Sequence, residues 1–392
     1  MINPGSRRYL GALFLLLVVG TLQAQPQPIY YNTSSTTQSQ NKLYSVATNG
    51  SANTGLFTAA GAVSRCTAVA VDALNGKLIF IDGASNSIWR VNLDGSALTL
   101  IKSNLIGYPG DLALDVLNQR IYFTTSSTIQ SSNTVQQLDY AGTGNSVLFT
   151  ATGPTANGGN GVSRCTALAV DLLHSRIFVA DAGAQKIWSM NLTGGALTTI
   201  AATTNCFPTG VALDTTNQQV YFTASSATQA SNFIQRVNYN ASGLITRFAA
   251  SGSSVQRCTA LDLDLADSII YLSDAGANTL WRIPLGGGSA TAVLSGLPAT
   301  AKKVRWFGGP ASRPAPGFTQ IQVAGTNAVF NVTNGFIGGT YYLLTSTNVT
   351  TPLSQWVPIL TNVLGASGNF TLTASNSFSL STRQRFYILA VH

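Results

Sequence analysis

The chain has 392 residues, 45% of them hydrophobic and only 9% charged, a balance that supports sizeable cores and excludes global disorder. All 13 acidic residues are Asp, and a chain with no Glu and few Lys is poor helix material. Its formal net charge of +8 comes from scattered basic residues with no basic stripe and no aromatic RNA-reading motif, so nucleic acid is not an expected partner.

At the start, residues 1–24 read as a signal peptide. Arg7 and Arg8 give a positive leader, Leu10 to Leu22 form the apolar run, and Ala24 offers a small residue before Gln25-Pro26. No other stretch approaches the ~20 apolar residues of a membrane span, so a secreted or cell-surface protein is expected, with no span once the leader is removed.

The next 280 or so residues repeat, and repeats of about 40–50 residues indicate propellers or solenoids. The stretch RCTAVAVDALNGKLIFIDGASNSIWRVNLDG begins at Arg65 and returns in altered form from Arg164 and from Arg257. Between these copies lie two of a variant, GDLALDVLNQRIYFTTSSTIQ from Gly110 and TGVALDTTNQQVYFTASSATQ from Thr209. Asp72, Asp115, Asp171, Asp214 and Asp264 mark equivalent points, at steps of 43, 56, 43 and 50, so two blade types alternate. Within each unit, β-branched and aromatic runs separated by turns such as Asn75-Gly76 and Asp94-Gly95 predict four antiparallel strands. Residues 29–57 align with the variant from its second strand onward, and Lys302–Phe307 falls where the missing first strand is due. The prediction is an all-β fold over 29–309: a six-bladed β-propeller closed by a split blade.

The segments Ile79-Phe80-Ile81-Asp82, Phe178-Val179-Ala180-Asp181 and Tyr271-Leu272-Ser273-Asp274, each followed by a Trp, and Asn92-Leu93-Asp94-Gly95 resemble the YWTD repeats (class B-like) of the low-density lipoprotein receptor family and the related NHL-like propellers. The variant blades depart from that pattern, with Thr125 and Ala224 at the Asp position. The resemblance implies binding of ligands or proteins more often than catalysis.

Arg313-Pro314-Ala315-Pro316-Gly317 lies in a linker over 310–317, and residues 318–392 then alternate apolar and polar in six short runs, which predicts a small C-terminal β-sandwich. The stretch YYLLTSTNVTTPLSQWVPI, with QRFYILAV at the end, is similar to fibronectin-type-III-like modules of secreted bacterial proteins. That similarity implies adhesion or presentation.

Because Asp recurs in blade after blade, its expected role is to accept backbone hydrogen bonds at turns. His174 and His392, the two histidines, have no Ser, Cys or metal-ligand motif around them, and His174 reads as a surface residue of a variable turn. Propeller enzymes of the gluconolactonase-like group use a metal held partly by Glu, and no comparable site can be assembled here. No catalytic residue, metal or cofactor is expected. Four cysteines in an exported chain are expected as buried free thiols, with a single disulfide from Cys206 to Cys165 or Cys258 as the alternative.

The threefold set Arg65, Arg164 and Arg257, together with the variant-blade loops ending in Gln38, Gln130 and Gln229, falls on one face and forms the candidate ligand site. The expected function is a secreted, non-enzymatic binding or scaffold protein presenting that face to a protein or carbohydrate. The alternative is an extracellular propeller enzyme, a lyase or hydrolase, working at the Arg-lined channel.

Overall fold

A computed structural model describes residues 28–72, 75–116, 118–306, 317–333, 340–351, 355–363, 369–377 and 385–391. The expected signal peptide, His392 and nearly all of the expected linker lie outside the described residues.

Each repeat folds into one antiparallel four-stranded sheet. Numbered from the first complete repeat, the innermost strands are Cys66–Asp72 (blade I), Tyr108–Asp115 (II), Cys165–Asp171 (III), Phe207–Asp214 (IV) and Cys258–Asp264 (V). Blade VI is split as expected: Thr300–Trp306 pairs with Ile29–Ser34, which continues to Lys42–Val46 and Thr54–Thr58. The six inner strands touch in a closed ring, Thr300–Trp306 meeting Cys66–Asp72 to complete it, so no inner edge is left to pair with another chain.

Side-chain alternation explains why the sheets stack. Second strands such as Lys77–Asp82 and Arg176–Asp181 are buried on both faces, and outer strands such as Thr99–Lys102 are exposed along most of their length. The buried side chains form six clusters, one per blade junction; Leu78, Phe80 and Val91 of blade I, for example, pack with Tyr30 and Leu43 of blade VI. Truncating a buried Phe at such a junction costs about 3–5 kcal/mol. Peripheral turns tighten the stack. Gly142 has φ +80°, and a Cβ there would lie 1.8 Å from the Ile101 carbonyl oxygen of the preceding blade, so only glycine fits.

Small residues dominate the middle of the inner ring. By register, Ala68, Ala167, Gly210 and Ala260 occupy one level, and Asp111 and Lys303 replace them in blades II and VI. Lys303 Nζ donates to Asp111 Oδ2 across intervening blade I. Arg305 reaches Asp111 Oδ1 at 3.3 Å, and the Leu168 amide of blade III donates to Oδ2 at 3.2 Å. A single buried carboxylate therefore ties blades II, III and VI together.

The tail forms two three-stranded antiparallel sheets. Gly317–Ala324, Asn327–Thr333 and Phe370–Ala374 make one, and Val357–Val363, Thr340–Ser346 and Phe386–Val391 make the other. Phe330, Val332, Leu343 and Leu372 bury their side chains between them, giving the expected sandwich its core.

Candidate binding face

Arg65, Arg164 and Arg257 are placed by the aspartates that close the second strands. Asp181 is buried and accepts the amides of Ser163 (2.8 Å), Arg164 (2.8 Å), Gly183 (3.0 Å) and Ala184 (2.9 Å), as well as Trp188 Nε1 at 3.2 Å. Asp274 repeats this arrangement around Arg257 and Trp281, and Asp82 does so for the backbone around Arg65. These aspartates are spent on backbone amides, as the sequence predicted. With their backbones fixed, the three guanidiniums project at the entry of the inner strands. None forms an ion pair among the described residues. Arg65 Nε donates to Ser34 Oγ and Arg257 Nε to Ser225 Oγ, each at 3.3 Å.

The register places aromatic residues between them. Tyr108 and Phe207 stand in blades II and IV where Arg stands in the odd blades, and they are 39% and 45% exposed. Going round the ring, the entry therefore reads Arg65, Tyr108, Arg164, Phe207, Arg257, Thr300. Lys302 adds a further cation at the bulge of the closing strand, where blades I, III, IV and V carry Thr67, Thr166, Thr209 and Thr259. Burial holds Lys302 below the ordinary lysine value, and the fields of Arg65 and Arg257 lower it further. The Tyr108 phenol is raised by burial, with Arg65 pulling the other way. Repeat logic alone does not reveal Tyr108, Phe207 and Lys302, because they sit in the blades that lack the Arg.

Gln38, Gln130 and Gln229 need reassignment. The side-chain amide of each donates to backbone carbonyls of the next blade's entry: Gln38 to Val63 (2.5 Å), Gln130 to Ser163 (2.8 Å) and Gln229 to Val255 (2.6 Å). Their donors hold the segment leading into each Arg, so they position the face. Asn41, Asn133 and Asn232 brace the same loops; Asn133 Nδ2 donates to three carbonyls and its Oδ1 accepts the Ser127 amide.

The alternative disulfide of Cys206 does not form: all four cysteines are buried free thiols. Cys165 and Cys258 lie in the clusters of separate blade junctions, and Cys206 Sγ donates to the Thr204 carbonyl at 3.3 Å. Burial raises all four thiols, and neighbouring Asp82, Asp181 and Asp274 add to this for Cys66, Cys165 and Cys258. These thiols are held protonated and unreactive.

At the other end of the inner strands, Asp72, Asp115, Asp171, Asp214 and Asp264 accept the amide three residues on. His174 belongs here and is not a free surface residue: Nδ1 lies 2.8 Å from Asp171 Oδ2, in the place of Asn75, and the side chain is only 29% exposed. Tyr239 of blade IV donates to the same oxygen at 2.8 Å. Burial, with smaller contributions from Asp267 and Asp262, pushes Asp264 up to about 6.

No protein-family model and no curated protein matches the sequence. Among solved structures the chain is similar to one titled "Crystal structure of Nidogen/Laminin Complex", with TM-score 0.57 and 15% identity, covering 71% of this chain and 97% of that one. The likeness supports the β-propeller. As many as 1216 solved chains match, so it speaks for architecture and not for a ligand. No described helix is long and apolar enough to cross a membrane.

Proposed function

We propose that this is a secreted, non-enzymatic binding or scaffold protein that presents the Arg-bearing face of its propeller to an anionic protein or carbohydrate. The observation that carries the reading is the entry ring, in which three guanidiniums without ion pairs among the described residues alternate with half-exposed Tyr108 and Phe207. Guanidiniums offer paired donors to carboxylate or sulfate, and flat aromatic rings supply desolvated contact area at little entropic cost. Together they suit a ligand with acidic groups on an otherwise apolar or ring-shaped framework. The similar nidogen structure is of a protein complex, which agrees with a protein partner. The tail, read as fibronectin-III-like, would then serve adhesion or presentation.

The test is a glycan and peptide array probed with the mature chain and with the Arg65→Ala/Arg164→Ala/Arg257→Ala variant. Binding to acidic members that the triple variant loses by tenfold or more supports the reading. An unchanged array profile defeats it.

A further inference from the structure

Two of the three odd-to-even junctions share one design at the end of the inner strand opposite the Arg ring, and the third departs from it. In blade I, Asp72 Oδ2 accepts Asn75 Nδ2 at 2.8 Å, and Tyr140 of blade II stands against it. In blade III, Asp171 Oδ2 is met by His174 Nδ1 and Tyr239 Oη, both at 2.8 Å. Even-blade Asp115 and Asp214 likewise receive Asn118 and Asn217, at 2.7 Å each. In blade V the residue three positions on is Asp267, which supplies its amide to Oδ1 at 2.9 Å but brings a second carboxylate in place of an amide donor. The matching turn of blade VI, aligned through the Ala47–Ser51 and Asn238–Ser242 backbone bonds, has Thr48 where the others have Tyr140 and Tyr239. Asp264 is 1% exposed, and among the described residues its Oδ2 has no hydrogen-bond partner.

A buried carboxylate oxygen without a donor is costly, and a second carboxylate beside it raises the cost. Elsewhere in the ring this oxygen is always matched by positive charge density. We propose that a Ca²⁺-class divalent cation is held between Asp264 and Asp267 at the junction of blades V and VI, replacing the donors found at the sister junctions. Hard oxygen ligands suit such an ion, and the exposed turn 265–268 leaves one side open for solvent ligands. Affinity in the range of extracellular calcium modules, about 10⁻⁴–10⁻³ M, is expected from two carboxylates.

The experiment compares thermal unfolding of the chelated full chain with and without about 10 mM Ca²⁺, for wild type, Asp267→Asn and Thr48→Tyr. Wild type should gain about 3 °C or more. Asp267→Asn rebuilds the Asp72–Asn75 arrangement, so its metal-free midpoint should exceed that of wild type and its Ca²⁺ response should vanish. Thr48→Tyr supplies the hydroxyl of the sister junction and should likewise blunt the response, which keeps the test alive should one variant fold poorly. Calorimetric titration of wild type should show one Ca²⁺ per chain. A wild-type midpoint indifferent to Ca²⁺, or variants that respond as wild type does, would overturn the proposal.

Discussion

Odd and even blades solve the same problem, fixing a loop at the ring entry, with different chemistry. In blades I, III and V one buried carboxylate gathers several backbone amides within its own blade, up to five donors at Asp181. In II, IV and VI, neutral amides do the work: Asn41, Asn133 or Asn232 braces the loop, and Gln38, Gln130 or Gln229 reaches into the next blade. The charged solution is local and tolerates exposed Arg beside it. The neutral one couples neighbours, so each Arg-bearing entry is set from two sides.

The comparison can be broken in order of expected effect. Lys303→Met leaves Asp111 buried without its nearest counter-charge and should cost about 3–5 kcal/mol in urea unfolding. Asp111→Ala on that background should recover part of the loss; a Lys303→Met variant as stable as wild type would mean the pair is not a clamp. Asp181→Ala strands amides and Trp188 Nε1 in a buried site, and a loss of about 3 kcal/mol is expected. Asn133→Ala removes a neutral brace and should cost about 2 kcal/mol, Gln130→Ala about 1 kcal/mol. If Gln130→Ala exceeded Asp181→Ala, the ranking of charged over neutral entries would be wrong.

A further effect is one of pH. Burial draws Lys303 down to about 8, with Asp111 opposing and Arg305 assisting. Between that value and the ordinary 10.5, the unfolded chain binds a proton that the folded one has released. Stability should therefore rise with pH from about 8 toward 10, by at most about 1.4 kcal/mol per unit, and Lys303→Met should flatten the rise.

Much of the ring is legible in the sequence because repetition prints each element several times. The alternating blades, the split closure, the structural aspartates and the three Arg all follow from self-alignment. What escapes is what breaks the repeat or crosses between blades. Asp111, Lys303 and Arg305 replace small residues in single blades, so alignment treats them as exceptions. Gln130 is visible, but its carbonyl partners lie 32 and 33 residues on, in another sheet. Cys66, Cys165 and Cys258 stay unpaired for a related reason, since equivalent positions in separate blades lie in separate cores. The tail reads well because alternation alone marks a sandwich strand.

The clamp at Asp111 also sets a timetable. Its partners Lys303 and Arg305 are translated some 190 residues after it, on the same strand that seals blade VI. Without that strand, blade VI lacks its inner edge, Ile29–Ser34 is uncovered, and Asp111 loses both of its cationic partners. Ring closure therefore depends on residues 300–306, and a chain cut short before residue 300 lacks the strand that seals blade VI.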